Sequence, residues 1–279
     1  MGKFDAKTSE NGVIVNRGAQ VRLLVDLGAK VSFLDTNKTA SENLVRELGE
    51  NVTFHHGSVT AWDDQLRLFE ATLAYYGHID IVLANAGIDE VAEDAFADTF
   101  DAAGRLREPT LVVLDVNLRG AIYTTKLALS VFRRVGTAGS IVATGSAASY
   151  LDTPGIPIYN AAKHGVIGLV RSLRDTLSAE GLVRANVVAP WFTLTPFTER
   201  VAPVWEGAGL PVNSPADVAR AIVFLALNKD CHGKSIYVSN GGYTELEGPV
   251  QASRPSWLGA QNTAWVDQRK AANIKLGKQ

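Results

Sequence analysis

The chain has 279 residues, 46% of them hydrophobic, which is enough to build a large α/β core without a disulfide or a metal. Its one cysteine, Cys231, cannot form an internal bridge and reads as an ordinary small residue near a turn, which suits a reducing cytoplasmic location. A net charge of −2 with no basic block excludes a phosphate-tracking nucleic-acid surface, and no apolar run approaches the roughly 18 residues of a membrane span.

In chain order, residues 13–15 read as a short strand, and 21–27 as a helix closed by Gly28. Residues 31–34 form a second strand ending at Asp35, 40–48 a helix, and 52–55 a third strand. A longer helix covers 61–76, and a fourth strand covers 79–83 and runs into Asn85-Ala86-Gly87. A helix over 111–132, a strand over 140–143, a helix over 159–177 and a strand over 183–188 follow. A helix over 216–227 and a last strand over 235–238 complete the pattern. Strands that are continuous apolar runs, alternating with helices, predict a Rossmann-like three-layer αβα sandwich. Its sheet is doubly wound and parallel, of about seven strands.

Residues 1–248 read as one domain, and 249–279 as a polar tail that either wraps a neighbour or stays loose. The N-terminus lacks the apolar core of a signal peptide, and Ala6 stands where myristoylation needs Ser or Thr. Residues 88–110, acidic and irregular, and 191–213, rich in proline and glycine, both follow strand carboxyl ends, where open α/β sheets bind ligands. Trp191 and Trp205 in the second loop suit a bulky apolar substrate. His55-His56 reads as a strand end and not a metal site, because no third ligand has the spacing to join it. His164 is expected to face away from the site.

Tyr159 and Lys163 lie one helical turn apart on one face. A cation held beside a phenol favours the phenolate, so the pair is expected to lower the Tyr159 pKa and move protons at neutral pH. Ser146, at the end of the fifth strand, could hold a substrate oxygen beside Tyr159, and Asn117 a water leading from Lys163 to solvent.

These residues resemble those of the short-chain dehydrogenase/reductase family from Gly12 to about Gly242. Ser146, thirteen positions before Tyr159, and then Lys163 match its catalytic spacing, Val116-Asn117-Leu118 its catalytic Asn segment, and Ala84-Asn85-Ala86-Gly87 its NNAG element. Residues 186–196 resemble the segment that lines the nicotinamide, and the PWFT and GGYTELEG stretches resemble fungal members similar to 15-hydroxyprostaglandin dehydrogenase that serve secondary metabolism. The resemblance implies that Tyr159 exchanges the proton at the carbinol oxygen, Lys163 binds the nicotinamide ribose, Ser146 orients substrate and Asn117 completes the relay. It implies cofactor contacts from Gly18, Asp35, Asn85, Ala86, Gly87, Tyr159, Lys163, Pro190, Thr193 and Thr195. Asp35 would favour NAD(H) over NADP(H) by repelling a 2′-phosphate, although the same residue equally reads as the N-cap of the next helix. The helices over 111–132 and 159–177 imply a homodimer or homotetramer, and the partner is otherwise a small-molecule substrate.

Two departures qualify the resemblance. The family's first strand enters a glycine-rich turn whose amides approach the pyrophosphate. Here Asn16-Arg17-Gly18 leads straight into the helix, about eight residues short, and Gly18 alone answers to the last glycine. Ser58 also stands where the family carries an Asp on the adenine. The leading expectation is an NAD(P)-dependent oxidoreductase interconverting a secondary alcohol and a ketone on a small apolar secondary metabolite, with Arg17 supplying charge to the shortened loop. The alternatives are a cofactor-independent isomerase, dehydratase or cyclase that reuses Tyr159, Lys163 and Ser146, a loop omitted from the reading frame, and a non-catalytic binding subunit.

Overall fold

A computed structural model describes residues 12–16, 19–90, 95–196 and 198–272. The elements run β1 (Gly12–Asn16), α1 (Ala19–Asp26), β2 (Lys30–Asp35), α2 (Lys38–Leu48), β3 (Val52–His56), α3 (Trp62–Tyr76) and β4 (Ile81–Ala84). Next come α4 (Val112–Leu114), a π-helical turn (Asp115–Arg119), α5 (Gly120–Val135), β5 (Gly139–Thr144), α6 (Pro157–Glu180) and β6 (Val183–Pro190). The chain continues with α7 (Ala202–Gly207), α8 (Pro215–Leu227), β7 (Ser235–Ser239), β8 (Gly242–Glu245), α9 (Glu247–Ala252), α10 (Arg254–Leu258) and α11 (Ala260–Ala271).

The sheet order is β3-β2-β1-β4-β5-β6-β7-β8, and all pairs are parallel except β7 with β8. One apolar layer sets Leu68, Phe69, Phe132, Val166 and Leu177 of α3, α5 and α6 against the sheet. The other sets Val21, Leu24, Leu44, Ile222 and Leu225 of α1, α2 and α8 against its opposite face. This is the three-layer Rossmann-like architecture expected from the alternating pattern. The strand order reverses between β1 and β4, and the carboxyl ends there open the crevice in which such sheets take ligands.

Each strand predicted from the sequence is present, and an eighth is added. Ser239 pairs with Gly242 across Asn240-Gly241, whose φ values of 50° and 69° are both positive. Asn-Gly is the sequence mark of a two-residue type I′ hairpin, and it was the available signal for β8. Residues 247–271 form three short helices, α9 to α11, with Lys270 3.3 Å from Asp175 on α6 and Arg254 2.6 Å from Asp267.

Candidate active site

The carboxyl end of β5 and the first turns of α6 set the geometry. Thr144 ends β5, and Ser146 opens a short 3-10 turn over Ala147–Ser149. The turn is tied on both sides. Ser146 N–H donates to Ser149 Oγ at 3.1 Å, and Ala148 N–H donates to Ser146 Oγ at 3.2 Å. Ser149 Oγ in turn donates to the Lys163 carbonyl at 2.8 Å, joining the Ser146 turn to α6.

Pro157 begins α6 at a position where a missing N–H costs nothing. The i, i+4 spacing then brings Lys163 Nζ to 5.5 Å from the Tyr159 ring centroid. Lys163 is 3% exposed, and its ammonium donates to the Thr144 carbonyl at 2.9 Å. Burial pushes its pKa down to about 8.

Tyr159 departs from the sequence expectation. Burial pushes its phenol above the ordinary value, a hydrogen bond with the Ser146 hydroxyl works against that, and the charge of Asp89 adds to the rise. Burial outweighs the lowering expected from Lys163, whose ammonium donates to the Thr144 carbonyl. The phenol is therefore held protonated, ready to donate.

Asn117 lies in the π-helical turn, 1% exposed. Its Oδ1 accepts from Ile88 N–H and its Nδ2 donates to the Ile88 carbonyl, both at 2.8 Å. The widened turn re-aims one side chain inside a continuous helix, a device common at functional sites. At Gly87 an added Cβ would lie 3.3 Å from Asn117 Oδ1 and 3.4 Å from Lys163 Nζ. Asn117, Lys163 and Gly87 are therefore close neighbours, and a side chain at position 87 would press on both. Asn85 Oδ1 accepts from the Thr144 hydroxyl at 2.9 Å, linking the ends of β4 and β5, and Ala86 packs on the core.

Asp35 ends β2, and its Oδ1 accepts from Asn37 N–H at 2.7 Å. The N-cap of α2 is Asn37, whose side chain accepts from Ala40 N–H at 3.0 Å, so the capping role read for Asp35 belongs to its neighbour. Pro190 is the last residue of β6. Thr193 donates to the Trp191 carbonyl at 2.9 Å, and the Thr195 and Thr198 hydroxyls are 3.2 Å apart. Both predicted threonines thus brace their own loop. Gly18 and Arg17 lie outside the described residues.

The residues present fit a nicotinamide dinucleotide at two ends. Lys163, Tyr159 and bare Gly87 suit the nicotinamide ribose, and the carboxylate at the end of β2 suits the adenosine ribose. Between them, only positions 17 and 18 separate β1 from α1, where the family places its long glycine turn.

Sequence reasoning missed Glu90 and Ser149. Glu90 accepts Tyr159 N–H at 2.8 Å, capping α6 from a distant loop. No local pattern marks such a contact, since the partners are separated by 69 positions. Trp191 and Trp205 meet edge to face at 4.9 Å, and Phe192 stacks on Trp205 at 4.7 Å, giving the 191–213 loop an aromatic wall. His164 Nδ1 pairs with the Asn160 carbonyl on the exposed side. Among the described residues no group of three or more His, Cys, Asp or Glu could hold a metal, and no helix is long and apolar enough to cross a membrane.

The sequence matches the family described as short chain dehydrogenase over residues 18–204, a match that begins just after the shortened turn. It is 37% identical over 272 residues to the short-chain dehydrogenase/reductase prx4 of Penicillium rubens, covering 91% of this chain and 80% of that protein. It is 30% identical over 270 residues to the 5′-hydroxyaverantin dehydrogenase of Dothistroma septosporum, covering 88% and 87%. The fold is similar, with a TM-score of 0.72 at 23% identity, to a 3-ketoacyl-(acyl-carrier-protein) reductase from Brucella melitensis complexed with NADH, covering 83% of this chain and 98% of that one.

Proposed function

The chain belongs to the short-chain dehydrogenase/reductase family, an oxidoreductase that uses a nicotinamide cofactor, and from that premise we propose that it interconverts a secondary alcohol and a ketone on a small apolar secondary metabolite. The observation that carries this reading is the buried Lys163 ammonium over the Tyr159 ring, with the Ser146 hydroxyl on the phenol. Tyr159 donates its proton to the carbonyl oxygen in reduction and takes it back in oxidation. Ser146 holds the same oxygen in line with the phenol. Lys163 holds the nicotinamide ribose and, with Asn117 beside it, leads the proton onward. The cofactor, when bound, supplies or accepts the hydride.

Asp35 selects NAD(H), because its carboxylate accepts from ribose hydroxyls and repels a 2′-phosphate. Asn85 and Ala86 beyond β4, Pro190 at the end of β6, and Thr193 and Thr195 in the loop that follows would line the cofactor. The aromatic cluster of Trp191, Phe192 and Trp205 favours an apolar substrate. Exposed Ile122 and Val135 on α5 support a homodimer or homotetramer built on α5 and α6. The cytoplasm is the proposed location, in keeping with a lone buried thiol.

The test is a panel of apolar secondary alcohols, with 5′-hydroxyaverantin beside it, incubated with NAD+ and followed by NADH absorbance. Turnover of at least one member, with a KM below about 1 mM, is expected. Proton-only products such as isomers, formed without NADH, would contradict the proposal.

A further inference from the structure

The GGYTELEG stretch carries a buried acid that no catalytic role absorbs. Glu247, at the start of α9, is 2% exposed. Its Oε1 accepts from the Tyr150 hydroxyl at 2.6 Å and from Arg171 Nη2 at 2.7 Å. Its Oε2 accepts from Arg171 Nε at 3.0 Å and from Arg174. The Arg171 guanidinium also lies 5.4 Å from the Tyr150 ring centroid. Burial alone would push the Glu247 carboxyl up, and the bonds from Arg171, Tyr150 and Arg174 outweigh it, holding the pKa at about 2. The acid is ionised at any working pH.

The two sides of this contact belong to different parts of the site. Arg171 and Arg174 lie on α6, two to three turns beyond Lys163. Tyr150 directly follows the 3-10 turn that Ser146 opens, and its N–H donates to the Ala147 carbonyl at 3.0 Å. One carboxylate therefore bonds both the helix that carries Tyr159 and Lys163 and the turn that carries Ser146. Ser149 joins the same two parts at the Lys163 carbonyl. The Ser146 turn is thus fixed against α6 at two points, one from within and one from the C-terminal segment.

We propose that Glu247 is a positioning residue that acts through Tyr150 to hold the Ser146 hydroxyl in register with Tyr159, making the C-terminal segment part of the active-site framework. The proposal rests on the catalytic reading of Ser146, Tyr159 and Lys163. A shift of about 1 Å in a group that aligns substrate can cost up to about a hundredfold in rate. Loss of one of two ties is expected to cost about a tenth of that.

Tyr150→Phe is the decisive variant, because it removes the bond to Glu247 and leaves both arginine contacts in place. Hydrogen exchange followed by mass spectrometry should show faster exchange at residues 146–150 and unchanged exchange at 171–174 and 247–252. On the fastest alcohol of the panel, kcat should fall about tenfold with the Kd for NADH unchanged. Glu247→Gln should give the same loss of kcat, and the double variant should lose no more than Glu247→Gln alone, as expected of residues in one network. Wild-type exchange at 146–150 in Tyr150→Phe, or wild-type kcat, overturns the proposal. Tyr159→Phe is run alongside. If it keeps a kcat above about a tenth of wild type, the catalytic reading fails whatever the exchange shows. If it is inactive while Tyr150→Phe behaves as wild type, only the positioning role fails.

Discussion

Replacing Tyr159 by Phe lowers kcat about a thousandfold, within the usual range for a lost general acid or base. The variant keeps the ring over which Lys163 sits and removes only the hydroxyl that meets Ser146. The fold should not suffer. The phenol is buried and its ionisation is pushed up, so Phe fills the space without stranding a charge. Steady-state rates, a thermal melt and an NADH titration check the three parts together. A kcat above about a tenth of wild type would mean that the proton comes from elsewhere. The glutamate at Tyr159 N–H, Glu90, caps the helix backbone and is no substitute acid for the phenol.

Lys163→Met should be inactive and yet more stable than wild type near pH 7. The lysine is 3% exposed, with a pKa of about 8 in place of the ordinary 10.5. Between those two values the unfolded chain binds more protons than the native one, so stability rises with pH across that window. The penalty is therefore fully present below about pH 8 and is relieved as pH climbs toward 10.5. A gap of that size corresponds to about 3 kcal/mol. Losing the bond to the Thr144 carbonyl offsets about 1 kcal/mol of it. A net gain of about 2 kcal/mol should raise the melting temperature by about 5 °C at pH 7, with little gain at pH 10. Thermal melts at the two pH values read this directly. A variant less stable than wild type at pH 7 would show that the ammonium is well satisfied where it sits. Stability given up at one buried amine is the expected mark of a group kept for function.

Much of this was readable from residues alone. Continuous apolar strands alternating with amphipathic helices sufficed for the sheet, because a parallel sheet covered on both faces imposes that pattern. The spacing of Ser146, Tyr159 and Lys163 pointed to one site, because β5 and α6 are consecutive elements joined through residues 145–156 and the 3-10 turn that Ser146 opens. Three features escaped. The π-helical turn at Asn117 leaves the helical periodicity nearly unchanged, so only coordinates reveal it. The direction of the Tyr159 shift depends on burial and on where the Lys163 ammonium finds an acceptor, and spacing gives neither. The Glu247 contacts span 73 to 97 positions to their partners, beyond the reach of any local pattern. β8 is a different case: its Asn240-Gly241 turn was present in the sequence as a signal.

With two residues between β1 and α1, the chain should still bind a dinucleotide. Fluorescence titration of the wild-type protein with NADH, and separately with NADPH, tests it most directly. Saturable NADH binding below about 1 mM is expected. NADPH should bind at least about tenfold more weakly, from repulsion between the Asp35 carboxylate and the 2′-phosphate. Absence of binding by either dinucleotide up to millimolar concentration would rule out the oxidoreductase reading and leave Tyr159, Lys163 and Ser146 to proton-only chemistry.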